Sequence, residues 1–215
     1  MTVEVATVPL ALEDLLPVAL AGVGAWLLAG VVGERVPRVR LPARTGAVLV
    51  VVAGLCKALW KLDLAVTGDD VAVVDDLLFA FLAPGFALLT WSLVVARGSA
   101  LPLASPVMAC LLAGVASLAV QATWPLLVVA VVGATATGVF ALLLARSSGD
   151  GRAVVLFAVQ LLLAFALVPF AGAGQSVAHQ WWEQSLNTVG QSAFALGAWR
   201  LSMSSTVSSA VRSTA

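Results

Sequence analysis

His179, Glu183, Asn187 and Gln191 recur every four residues in the stretch HQWWEQSLNTVGQ (179–191). At about 100° per residue they form one slowly drifting stripe of an α-helix, with Gln180, Gln184 and Thr188 as the neighbouring stripe. The opposite side carries Trp182, Leu186, Val189, Ala193 and Leu196. Acids, amides and an imidazole on one face can bind a ligand, exchange a proton between Glu183 and His179, or hold helices together by hydrogen bonds. Lys57 and Lys61 form a second i, i+4 pair, with Lys57 the deeper in its apolar run. A lysine amine in hydrocarbon costs about 2.5–3.5 kcal/mol even on lenient scales, so Lys57 is expected to pair with Glu183 or Asp76. Lys61, Asp63, Asp69 and Asp70 read as interfacial or solvated, and Asp75 and Asp76 as first-turn helix residues that suit the macrodipole.

The elements that must position these groups follow from composition. Only 10% of the 215 residues are charged, 61% are hydrophobic, and the mean hydropathy is +1.07. A soluble domain carries about a quarter charged residues, so lipid is the expected solvent. Seven apolar runs approach the ~20 residues that a bilayer crossing requires: 15–33, 45–66, 74–96, 103–122, 124–145, 153–172 and 177–199. They are too long and evenly apolar for barrel strands, so the fold class is all-α, a polytopic seven-helix membrane protein. Threading the chain seven times puts all nine arginines on one side, among them Arg35, Arg97, Arg146 and Arg200. Most acids fall on the other. The positive-inside rule then gives an N-outside, C-inside topology in the plasma membrane. Residues 1–14 read as an extracytoplasmic tail, 15–200 as the membrane domain and 201–215 as a disordered cytoplasmic tail. The first run has no basic segment before it and reads as a retained anchor. Trp60, Trp181, Trp182, Trp91 and Trp199 fit aromatic belts, and Trp26 fits pocket lining or packing. Pro84-Gly85 predicts a kink in span 3, and Cys56 and Cys110 read as small buried hydrophobes.

Shifting the sequence by 108 residues aligns 75–93 with 183–201, pairing Phe86 with Phe194, Trp91 with Trp199, Leu93 with Leu201 and Asp75 with Glu183. The same shift pairs Pro17 with Pro125 and Gly30 with Gly138. Spans 1–3 (15–96) are thus expected to repeat as spans 5–7 (124–200), with span 4 (103–122) as linker and the two copies parallel. Parallel repeats are related by an axis along the membrane normal and hold a site between the halves. This 3+1+3 plan resembles the layout of the SWEET sugar transporters, although the Pro-Gln motif is missing at the equivalent helix positions. Seven-helix opsins share the topology, but the last span has no lysine for a Schiff base.

The expected function is a small transporter or channel for a small solute, cation or proton. Its polar site would lie between spans 2, 3 and 7 in the outer half of the membrane. Lys57, Asp76, His179, Glu183, Gln184, Asn187 and Gln191 are the substrate-binding candidates. A membrane sensor or assembly subunit without transport is the alternative. An intramembrane lipid-modifying enzyme using Asp76, His179 and Glu183 is a weaker one, since a single histidine and no HExxH or nucleophile elbow are present. No cofactor or metal is implied. The zero net charge argues against nucleic acid, leaving membrane lipids, a small solute or ion, and a second copy of the chain as partners.

Overall fold

A computed structural model describes residues 7–68, 71–167 and 176–213, the side chains of 72, 73 and 75 and those from 205 onward excepted. Those residues are all-helical apart from turns. A short helix α1 (Val8–Glu13) leads into α2 (Leu15–Arg35), and a single 3-10 turn (Pro37–Val39) separates α2 from α3 (Arg40–Thr67). Then follow α4 (Ala72–Ala96), α5 (Ala104–Val120), α6 (Trp124–Ser147), α7 (Gly151–Leu167) and α8 (Val177–Ser213). Seven helices of 17 residues or more, α2 to α8, therefore stand where the seven apolar runs place them. Part of the first fourteen residues is helical too, with Leu10 and Ala11 buried. Helix α8 continues to Ser213 through the serine-rich stretch expected to be unstructured.

Three helices are long and apolar enough to cross a membrane: Val8–Arg35, Asp76–Ala96 and Trp124–Ser147. Helices α5 and α7 are apolar but shorter. Helices α3 and α8 are diluted by the charges and amides of their inward faces. The exterior is apolar around the whole bundle. Leu41, Leu59, Leu112, Val115, Leu118, Val132, Leu162, Trp182 and Val189 are all more than half exposed. A surface of that kind marks contact with another apolar phase rather than with water.

The helices close into a ring. Helix α2 packs on α3, α3 on α4, α4 on α6, α6 on α7, α7 on α8, and α8 returns to α2. Helix α5 lies outside it, against α4 and α6. Small residues allow the close approaches. A Cβ on Gly46 of α3 would lie 2.7 Å from the Gly85 carbonyl of α4, and one on Gly24 of α2 would strike the Phe194 ring of α8 at 2.5 Å. Helix α4 runs unbroken through Pro84, so the carbonyl one turn earlier, at Ala80, loses its usual donor.

Polar contacts tie the two ends differently. At the arginine end, Arg35 donates to the Ser148 hydroxyl (2.8 Å) and Arg200 to both Asp150 oxygens (3.2 Å each). Gly149, at φ 72°, turns the chain from α6 into α7. Asp150 then caps α7 by accepting from the N–H groups of Arg152 (3.1 Å) and Ala153 (3.0 Å). Trp91 is buried and donates to the Leu101 carbonyl at 2.9 Å, and Trp60 is buried as well. Neither is a belt residue. Exposed Trp26 lies under the Arg44 guanidinium, 4.9 Å from ring centroid to Cζ, and is outside the lining of the internal cavity.

Burial pushes the Asp150 carboxyl up, but the Ala153 N–H, the Arg200 guanidinium and the Arg152 N–H together outweigh it and hold the group below its ordinary value. A depressed acid stabilises the fold above its unfolded pKa, and that contribution is lost as pH falls through the folded value. Asp150→Ala should cost about 1–2 kcal/mol of stability near neutral pH, mostly from the lost cap. The difference between the two proteins should shrink on acidification below the usual aspartate range. Tryptophan-fluorescence melts in detergent across a pH series check both effects.

Candidate functional site

Inside the ring, toward the end where α3 finishes and α8 begins, lies a cavity of about 610 Å³. All six ring helices line it, and α5 contributes nothing. Helix α8 supplies Gln180, Glu183, Gln184, Asn187 and Gln191; α3 supplies Lys57 and Lys61; Asp14 precedes α2; α7 adds Gln160 and α6 adds Thr137. Phe86, Phe194, Ala25 and Val50 are apolar members of the lining. Ala25, Val50 and Phe194 also belong to the packed core, which continues through Leu28, Val31, Val32, Leu89, Leu93, Leu144, Phe157 and Leu201. The Phe157 and Phe194 rings meet edge to face at 5.9 Å. This core fills the bundle toward the arginine end.

The buried ion pair is Lys61 with Asp14, 2.9 Å apart and 6% and 7% exposed. Lys61 is therefore not an interfacial or solvated residue, and Lys57 is not the lysine that takes a carboxylate. The register explains both corrections. Gly22 meets Val51 and Gly54 meets Val18 across the antiparallel α2 and α3, which sets Lys57 level with residues 15–16 and Lys61 slightly further out than Asp14. Side chains of a helix tilt toward its N-terminus. On α3 that is toward the arginine end, so Lys61 reaches inward onto Asp14, while Lys57 points away below it. The contact is close without being an aligned hydrogen bond.

The same geometry keeps Lys57 from Glu183. Gly24 of α2 approaches Ala195 of the parallel α8, which puts Lys57 level with Leu186 and Asn187, about 5–6 Å along the axis from Glu183. Their helices run in opposite directions, so the two side chains tilt apart. Among the described residues neither has an ion-pair or hydrogen-bond partner, and both face the cavity. Gln191 donates to the Asn187 side-chain oxygen at 3.4 Å.

Of the expected site residues, Lys57, Glu183, Gln184, Asn187 and Gln191 share this cavity. Asp76 is at a comparable depth, judged from the crossing of Gly46 and Gly85, but is exposed and lies outside the lining. His179 is half-buried and also outside it. Glu4, Asp69, Asp70 and the side chain of Asp75 lie outside the described residues. On α8, Trp182, Val189 and Leu196 face outward as expected, whereas Ala193 is buried.

Four contributors were not singled out from sequence. Asp14 was read as part of a tail, and Glu13 accepts from the Thr188 hydroxyl at 2.7 Å, joining the start of α2 to α8. The second Glu13 oxygen is buried without a hydrogen-bond partner. Gln160, whose side-chain oxygen is likewise buried and unpartnered, is the sole polar residue between Ala153 and Leu167. That isolation was a usable signal. Thr137 is buried and shares a 3.0 Å hydrogen bond with Thr90, whose hydroxyl also reaches the Gly133 carbonyl at 2.8 Å.

Comparison with protein-family models, with curated proteins and with solved structures finds no match to this chain.

Removing one member of a buried ion pair strands the other charge and costs about 3–5 kcal/mol, whereas replacing both by apolar groups of similar size is close to neutral. Lys61→Met and Asp14→Leu should each lower the melting temperature sharply, and the double variant should recover most of the loss. Equal additive losses in the double variant would show that the pair is not coupled.

Proposed function

We propose that this chain is a multi-pass plasma-membrane protein with seven crossings, N-outside and C-inside, that moves a small solute through a site between two parallel three-helix halves. The uniformly apolar exterior and the collection of Arg35, Arg146, Arg152 and Arg200 at one end support the crossing number and direction. The neighbour relations of the ring support the halves. Matching α2, α3 and α4 to α6, α7 and α8 carries every ring contact onto another, the α4–α6 seam becoming the α8–α2 seam. The matched phenylalanines stand at the two seams, the Phe194 ring against Gly24 and the Cβ and backbone of Phe86 against Gly133.

One observation carries the reading: a cavity inside the ring holds an amine and a carboxylate that have no partner among the described residues, and packed apolar side chains close it at the arginine end. Charged groups kept apart from one another inside an apolar bundle are expensive. A ligand that replaces water there explains their retention, and intramembrane ionisable residues of this kind mark substrate pathways. The closed arginine end also suits a receptor that binds from the opposite side without passage, and flux separates the two.

Purified protein in liposomes should show saturable uptake of at least one solute when sugars, amino acids, carboxylates, amines and protons are screened. Glu183→Gln should lower that uptake at least about tenfold, as expected for loss of a charge-assisted hydrogen bond. No uptake of any class by well-folded protein would end the transport reading.

A further inference from the structure

The cavity lining selects among solute classes. This step rests on the ligand-binding reading of the same cavity. Its charged members are Asp14, Lys57, Lys61 and Glu183. Lys61 and Asp14 neutralise each other, which leaves one cation and one anion without protein partners. Their sum is zero, and they sit on α3 and α8, the two helices that flank α2, with their backbones about one turn apart in depth.

A ligand entering this site displaces water from both groups, and each must then find a counter-charge or lose the solvation free energy of an ion. A bare cation or proton satisfies Glu183 alone, and 610 Å³ is far more room than it needs. A volume in this range suits a small organic molecule. A monocarboxylate satisfies Lys57 and leaves Glu183 facing added negative charge. An amine does the reverse. A sugar offers hydroxyl groups to the amides of α8 but leaves both ions without counter-charge. A molecule with zero net charge and separated poles satisfies both.

The apolar part of the lining says what the rest of that molecule looks like. Phe86 and Phe194 belong to helices that both start at the acidic end, so their rings tilt up into the cavity, with Ala25 and Val50 beside them. The Lys57 side chain tilts down toward the same floor. We propose that the cavity binds an α-amino acid with an apolar side chain, its carboxylate on Lys57, its ammonium on Glu183 and its side chain over Phe86 and Phe194. The amides of Asn187 and Gln191 lie beside the carboxylate level and supply further donors.

Calorimetry and thermal-shift measurements on the full chain in detergent test this with the apolar amino acids, leucinamide, 4-methylpentanoate and glucose as probes. At least one apolar amino acid should bind saturably, and the other three probes should bind at least about tenfold more weakly. In Lys57→Gln the preference for leucine over leucinamide should vanish. In Glu183→Gln the preference for leucine over 4-methylpentanoate should vanish. A variant that merely unfolds would lose all binding and its melting transition. The charge-swapped double variant, Lys57→Glu with Glu183→Lys, should then restore leucine binding. Glucose or 4-methylpentanoate binding as well as leucine, amino-acid binding indifferent to both substitutions, or no amino-acid binding at all would overturn the assignment. Leucine binding without liposome uptake would sink transport and keep the ligand class. Uptake of another solute without amino-acid binding would do the reverse.

Discussion

The seam between α2 and α8 is the contact on which the rest depends. The first and last long helices are far apart in the chain, and only their meeting turns a row of helices into a ring with an interior. Three things allow it. Gly24 leaves room for the Phe194 ring and for the backbone at Ala195. Ala25, Ala29 and Ala198 keep the surface smooth below it. The Glu13 carboxylate accepts from Thr188 at the mouth. Once the seam is closed, the polar stripe of α8 has an interior to face, and its opposite side can meet an apolar surrounding without stranding an amide there. An alanine at position 24 would push directly on that aromatic ring, the kind of overpacking a close-packed interior tolerates poorly.

Element identity was largely legible because apolar runs of this length leave few alternatives. The inward turn of Glu183, Gln184, Asn187 and Gln191 was legible as well, because four-residue spacing fixes a helix face before any tertiary contact exists. Pairing across helices was not. Which lysine meets which acid depends on register between α2 and α3 and on the direction in which side chains tilt. The register is set by the close approaches of Gly22 and Gly54, which carry no charge signal, and the tilt by the direction of each helix. Lys57 and Lys61 are indistinguishable by spacing, yet one is neutralised and the other faces the cavity. Asp76 shows the limit from the other side, since its depth suits the site and its face does not. The tryptophans failed for a related reason. Position near a helix end suggests a belt, but Trp91 finds a carbonyl acceptor inside the protein.

In the repeat we propose, the two halves would share architecture and differ in chemistry. Contacts that build the ring are matched, with Phe86 and Phe194 at the seams and Leu93 and Leu201 both buried in the core. Apart from Asp75 with Glu183 and Asp76 with Gln184, the polar residues of the lining are unmatched. Lys57 corresponds to Phe165, which is exposed, Gln160 to Val52, Thr137 to Ala29, Asn187 to Phe79 and Gln191 to Ala83. A duplicated scaffold yields two equivalent walls. Placing the cation on one and the anion with its amides on the other makes the interior directional, which a symmetric lining could not achieve.

In the transport we propose, passage would have to open the arginine end, and the packing there restricts how. Leu28, Val31, Val32, Leu89, Leu93, Leu144, Phe157 and Leu201 are essentially inaccessible. At about 1.5–3 kcal/mol for each large apolar side chain, wetting them all would cost on the order of 10–25 kcal/mol, as much as a whole domain's stability. The core therefore cannot simply part. The halves must move as packed units along their two seams, exchanging one set of contacts for another, as bistable interfaces do. The seams are unequal in this respect. Thr90 bonds Gly133 and Thr137 across α4 and α6 beside the cavity, whereas the described polar contact at the α2–α8 seam runs from Thr188 to Glu13, which ends α1 just before α2. With small residues and no described side-chain hydrogen bond below that contact, the proposed transport would slide along the α2–α8 seam, with the α4–α6 seam as its hinge.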